Sequence, residues 1–140
     1  MKNIVYLSTA VKLLNDDQLI DILTTARKNN ADRDVSGVLL YSEGTFIQVL
    51  EGDDTHVDTI FAKIETDRRH KNLITLIDSS IAHKNFADWA MGFITTNSAK
   101  VADLLGYLKS MDSLHAKSDN NSAIITLKTF IESNKLTVRY

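Results

Sequence analysis

Residues 35–52 read VSGVLLYSEGTFIQVLEG. Two apolar-rich runs, Val35–Ser42 and Thr45–Glu51, meet at Glu43-Gly44, which reads as a hairpin of two antiparallel strands. Side chains alternate between the faces of a strand, so Phe46, Gln48 and Leu50 share one face of the second run. A carboxamide therefore stands among apolar neighbours. If it is buried, its oxygen and its NH2 group each need a partner, because leaving one unsatisfied costs about 1–3 kcal/mol. Taken alone, such a glutamine is more often bonded to backbone or water than used for chemistry.

Upstream of the hairpin, Asn3–Ser8 is rich in branched and aromatic residues and reads as a strand. Asn15 can cap a following helix, with Gln18 three positions on, and Asp16 and Asp17 suit the positive end of its dipole. Leu19, Ile22, Leu23 and Ala26 supply the apolar stripe, and Arg27 and Lys28 suit the helix end. Downstream, Gly52-Asp53-Asp54 leads into Val57, Ile60, Phe61 and Ile64, the spacing of a second amphipathic helix ending near Arg68. Leu73–Ser79 reads as a fourth strand, and Trp89–Thr95 as a fifth.

This order is the split βαβ pattern, so the expected fold is α+β, ferredoxin-like βαββαβ plus a fifth strand. That topology lays both helices on one face of the sheet and leaves the other bare. It also makes the first and third strands neighbours, so that Tyr6 can offer its hydroxyl to Gln48. The pattern changes near residue 97, which divides the chain into a domain over residues 1–96 and a helical extension over residues 97–140. In the extension, Ser98 can cap a helix carrying Val101, Leu104, Leu105 and Leu108. Asn121 or Ser122 can start another carrying Ile124, Leu127 and Ile131. These stripes are expected to cover the bare face, with a partner surface as the alternative.

Composition narrows the function classes. At 140 residues with 44% hydrophobic content, the chain suits one buried core. A formal net charge of -2 and scattered basic residues give no electrostatic footprint for nucleic acid. With no cysteine, thiol catalysis, disulfides and a cysteinyl cofactor adduct are excluded, and a cytoplasmic location is expected. Ser8, Thr9 and Lys12 interrupt the N-terminal apolar run, and no stretch reaches the roughly 18 apolar residues of a membrane span.

Several segments, in matching order and spacing, together resemble the BLUF family. They are Ile4-Val5-Tyr6-Leu7-Ser8, Ala26-Arg27-Lys28-Asn29-Asn30, Ser36-Gly37-Val38-Leu39-Leu40-Tyr41, Phe46-Ile47-Gln48-Val49-Leu50-Glu51-Gly52, Asp67-Arg68-Arg69-His70 and Trp89-Ala90-Met91-Gly92-Phe93. The resemblance implies a blue-light photoreceptor, not an enzyme, that holds FAD or another flavin without a covalent bond. Carried over by position, it implies a ring between the two helices, with Ile22 and Ile64 on its faces. Asn30 would hold the polar edge, with Asn29 and Lys63 nearby and Gln48 between ring and Tyr6. Tyr6 would yield an electron and a proton to the photoexcited ring, after which Gln48 changes hydrogen-bond partners by rotation or tautomer change. Trp89 and Met91 match the signal-relay positions. The output is expected to pass to a separate, unidentified protein partner, and the chain is expected to form a homo-oligomer. Lys63 stands where many members have Arg, exchanging a bidentate contact for a single ammonium, and Ala90 stands where Ser is common.

Other features have plainer readings. Glu51, Asp53 and Asp54 read as caps before a helix, and no metal is assigned. Arg68, Arg69, His70 and Lys71 read as solvated partners of a helix dipole, although a flavin phosphate would also suit them. Asn29 and Asn30 also suit a helix terminus. Two rival classes stay open: a chromophore-free interaction module of the same fold, and a flavin redox enzyme, for which no substrate-binding constellation is visible.

Overall fold

The computed structural model describes residues 1–42, 44–87, 92–95 and 121–133. Its elements are β1 (Lys2–Ala10), α1 (Asp16–Ala31), β2 (Ser36–Ser42), β3 (Thr45–Gly52), α2 (Asp54–Glu65), β4 (His70–Ser80), β5 (Gly92–Thr95) and α3 (Asn121–Ser133). The strands form one five-stranded sheet in the order β4-β1-β3-β2-β5. The first four are antiparallel to their neighbours, and β5 joins the outer edge of β2 in parallel. This is the ferredoxin-like arrangement with its added strand.

Local chemistry accounts for the helix ends. The Asn15 side chain accepts from the Gln18 amide at 2.9 Å, and the Gln18 side chain accepts from the Asn15 amide at 3.0 Å, so the expected capping box is present. Asn29 and Asn30 do not end α1, which runs on to Ala31. The chain reverses beyond them, where the Asn30 carbonyl accepts from Arg33 and Val35 and Asp34 takes a left-handed φ of 51°. At α2, Asp53 caps the first turn by accepting from Thr55 at 3.1 Å. The helix stops at Glu65, short of Arg68, and the Asp67 carboxylate then accepts from the Arg69 amide at 2.9 Å. A short acid competing for a nearby N–H turns the chain, so β4 starts at His70, ahead of Leu73. Near its start β4 slips in register against β1, and Asn72 absorbs the irregularity with a φ of 55°.

Alternation along the strands builds two cores. On the first face, Ile4, Tyr6, Leu39, Tyr41, Phe46 and Leu50 pack with Leu19 and Leu23 of α1 and Val57 and Ile60 of α2. On the second, Val5, Val38, Leu40, Ile47 and Val49 pack with Phe86 and with Ala123, Ile124, Leu127 and Phe130 of α3. Each fully buried aliphatic side chain of this kind contributes roughly 1.5–3 kcal/mol relative to exposure. The expected role of Ile124 and Leu127 as cover for the bare face is therefore met. Trp89, Met91, the stretch from Ser98 expected to form a helix and the side chain of Ile131 lie outside the described residues.

Candidate functional site

Both helices stand off the first face far enough to leave a cleft between them. It encloses about 730 Å³ of empty space, the open solvent at its mouth included. α1 contributes Ile22, Thr25, Ala26, Asn29 and Asn30, and α2 contributes Ile60, Lys63 and Ile64. The sheet supplies its floor through Tyr6, Ser8, Leu39, Phe46 and Gln48, and Asp67, Arg69 and His70 close one end. Apolar side chains thus share the lining with polar and charged ones, a chemistry that suits a flat ring with a polar edge.

Register decides the central contact. Tyr6 lies directly opposite Gln48 across β1 and β3, and Leu39 flanks Gln48 on the other side. Both members of the pair are buried, and the Tyr6 hydroxyl donates a short hydrogen bond to Gln48 Oε1. Burial pushes the Tyr6 hydroxyl well above its ordinary pKa, and the negative charge of Asp67 adds to this. The phenol therefore keeps its proton and acts as a donor. Phe61 and His70 rings stand 5.7 and 6.3 Å from the tyrosine ring, centre to centre. His70 is fixed in turn, since its Nε2 donates to the Ile64 carbonyl at 2.6 Å.

All the binding residues expected from the sequence, Ile22, Asn29, Asn30, Gln48, Lys63 and Ile64, line this one cleft together with Tyr6. Trp89 and Met91 lie outside the described residues. Sequence reasoning did not single out Ser8, Thr25 or Asp67, and it read Arg69 and His70 as solvated dipole partners. Both in fact border the cleft, and Arg69 pairs with Asp67, which holds that carboxyl below the usual carboxylate range. The Asp67-Arg68-Arg69-His70 segment was the available signal. Ser8 Oγ is buried with no hydrogen-bond partner among the described residues. A hydroxyl left in that state on the floor of a cleft fits a ligand bearing carbonyls and ring nitrogens, as a flavin does.

One sequence reading is corrected here. Glu51 is not a helix cap: it lies on the opposite face of β3 from Gln48, fully buried, and its two oxygens accept from the backbone amides of Asn85 and Phe86 at 2.6 and 2.8 Å. Burial pushes its carboxyl up to about 7 from an ordinary 4.5, against the opposing pull of those two N–H groups and of Lys84. The folded protein thus binds a proton that the unfolded chain releases between about pH 4.5 and 7. This contribution to stability is complete below that window and is lost as pH rises through it. Urea denaturation from pH 5 to 8 should find stability falling with pH, by at most about 1.4 kcal/mol per unit from this one group. Glu51→Gln should remove that component, and an unaltered slope would contradict it.

A ferredoxin-like sheet with a cleft under two helices and a bonded tyrosine–glutamine pair on the cleft floor has the layout of a small-molecule-binding domain. The chain belongs to the BLUF family, described as sensors of blue-light using FAD, whose profile matches residues 1–92. It is 37% identical over 93 residues to photoactivated adenylate cyclase subunit alpha of Euglena gracilis, covering 65% of this chain and 9% of that protein. To photoactivated adenylate cyclase subunit beta of Euglena longa it is 33% identical over 121 residues, 81% of this chain and 14% of the relative. The chain therefore spans only a small part of these curated relatives. Among solved structures, the photo-activated state of BlsA superposes with a TM-score of 0.66 at 27% identity, covering 99% of this chain and 97% of that one. Residues 1–92 therefore form a domain of the family that senses blue light using FAD.

Proposed function

We propose that Tyr6 and Gln48 form the light-responsive pair of this receptor, and that Asn30, Asn29, Lys63, Ile22 and Ile64 hold the ring. The observation that carries this reading is the Tyr6 hydroxyl bonded to the Gln48 amide in the wall of the cleft. Bound FAD supplies absorption of blue light and an electron-accepting ring. Tyr6 is a protonated phenol with its hydroxyl hydrogen committed to Gln48, so loss of an electron from its ring makes that proton strongly acidic. Gln48 presents an acceptor and a donor on one rotatable group, so turning its amide by about 180° reverses both bonds without moving the backbone. The change that persists is in the hydrogen bonds and consumes no substrate. Ile22 and Ile64 exclude water from the ring faces, Asn29 and Asn30 match its polar edge, and Lys63 offers a single ammonium contact.

Residues 1–96 are read as the sensor domain and residues 97–140 as its extension, a division supported by the docking of α3 on the second core. Trp89 and Met91 are assigned to signal relay, from their positions in the Trp89-Ala90-Met91-Gly92-Phe93 segment that resembles the family. Output is assigned to a separate protein partner, with a homo-oligomer as the working assembly. The names of the adenylate cyclase relatives couple light to a catalytic unit and so support a light-driven output. The absence of cysteine agrees with a cytoplasmic setting. Purified protein should be yellow and should show a reversible red shift under blue light that decays in the dark. Bound flavin that only bleaches, or a failure to bind flavin at all, would overturn this reading.

A further inference from the structure

We propose that Glu51 is a positioning residue for signal output, latching the backbone at Asn85 and Phe86 to β3 and so joining the Gln48 strand to the second core. This rests on the reading of Gln48 as the photoswitch. Gln48 and Glu51 lie on one strand and on opposite faces of it, three residues apart, about 10 Å at the usual strand rise. β3 is hydrogen-bonded along its length to β1 and β2, so the strand acts as a stiff bar between the two faces. At its far end the carboxylate takes two consecutive amides at 2.6 and 2.8 Å, a charge-assisted pair of bonds about twice as strong as neutral ones.

The latched segment is held from its other side as well. Phe86 is fully buried, in the cluster that includes Ile124, Leu127 and Phe130 of α3. Lys84 donates to the Asp34 carbonyl at 2.8 Å and pairs with its carboxylate at 3.4 Å, tying the segment to the turn after α1. A shift or twist of β3 following the Gln48 rearrangement therefore pulls on Phe86 through Glu51 and reaches α3 through the Phe86 ring. The cross-strand neighbours of Glu51 on this face, Asn3 and Ser36, are buried and uncharged, which leaves Lys84 as the charged side chain acting on the carboxyl. Protonation removes the charge and turns one accepting oxygen into a hydroxyl, a weaker acceptor, so the latch loses its charge assistance.

The chain has a single tryptophan, Trp89, three residues after Phe86, and this provides the readout. Acrylamide quenching of Trp89 is measured on flavin-loaded protein in the dark and under blue light, beside the flavin absorption spectrum of the same sample. At pH 8.5, Glu51→Gln should keep a red shift of wild-type size while its light-minus-dark quenching difference falls at least threefold. In the unaltered protein that difference should shrink as pH is lowered through about 7 toward 5.5, and in Glu51→Gln it should not vary. A purely structural tie would leave the light-dependent difference in place. A normal red shift with an unchanged quenching difference in Glu51→Gln overturns the latch alone, as does a wild-type protein that shifts without any change at Trp89. Absence of the red shift in the unaltered protein overturns the photoswitch reading, and the latch with it. Should Glu51→Gln not fold, a wild-type difference that stays constant from pH 5.5 to 8.5 overturns the proposal.

Discussion

Gln48→Leu should keep the flavin and lose the red shift completely. Leucine preserves most of the bulk between Leu39 and Tyr6 in the register, so the floor of the cleft stays closed. What disappears is the amide that combines donor and acceptor opposite the tyrosine. The ring contacts assigned to Asn30, Asn29, Ile22 and Ile64 lie on other elements and persist, so flavin retention should be near that of the wild type. The Tyr6 hydroxyl is left buried without its acceptor, which should cost about 1–3 kcal/mol of stability. Difference spectra before and after blue light, on samples matched for bound flavin, make the measurement. A shift of undiminished size would refute the role given to Gln48.

The second large effect concerns a residue with no side chain at all. In β2, Gly37 lies opposite Leu50, and a Cβ built on it would stand 1.8 Å from the Val49 carbonyl oxygen and 2.8 Å from its carbon. Both contacts are with backbone of the central strand, which cannot swing aside as a flexible side chain can. Gly37→Ala should therefore force β2 away from β3, breaking ladder bonds in the middle of the sheet and opening the floor under the cleft. We expect a loss of more than about 4 kcal/mol, against a total stability of roughly 5–15 kcal/mol for a domain of this kind. Insoluble or largely unfolded protein without yellow colour is the expected outcome, read by circular dichroism and urea denaturation. A soluble variant with a midpoint close to wild type would sink this account of Gly37.

The helices and most strands were legible because their signals are local. Asn15 and Gln18 belong to one turn, and the stripe of Leu19 and Leu23 needs only helical spacing to be seen. The cleft was legible through resemblance, whose separate segments converge on it in the folded chain. Where the reading went astray, the deciding contact came from elsewhere. α2 ends at Glu65, ahead of where its apolar pattern points, with Thr66 as its C-cap, and the Asp67 carboxylate then turns the backbone at Arg69. The start of β4 was missed because its first residues are polar and depart from regular pairing at Asn72. Glu51 looked like a cap beside Asp53 and Asp54, yet its partners are amides 34 and 35 positions away.

From the sequence alone come the order of the elements, the two faces of each strand and the isolation of an amide among apolar neighbours on β3. These follow from periods of 2 and 3.6 residues, which every short stretch carries within itself. Only the tertiary structure decided that Tyr6 meets Gln48 in register, that one cleft gathers the expected binding residues, and that Glu51 faces the other way to hold Phe86. Register and burial arise between segments far apart in the chain. A slip of one residue in the pairing of β1 with β3 would turn one strand's side chains to the opposite face and leave both the tyrosine and the amide without a partner.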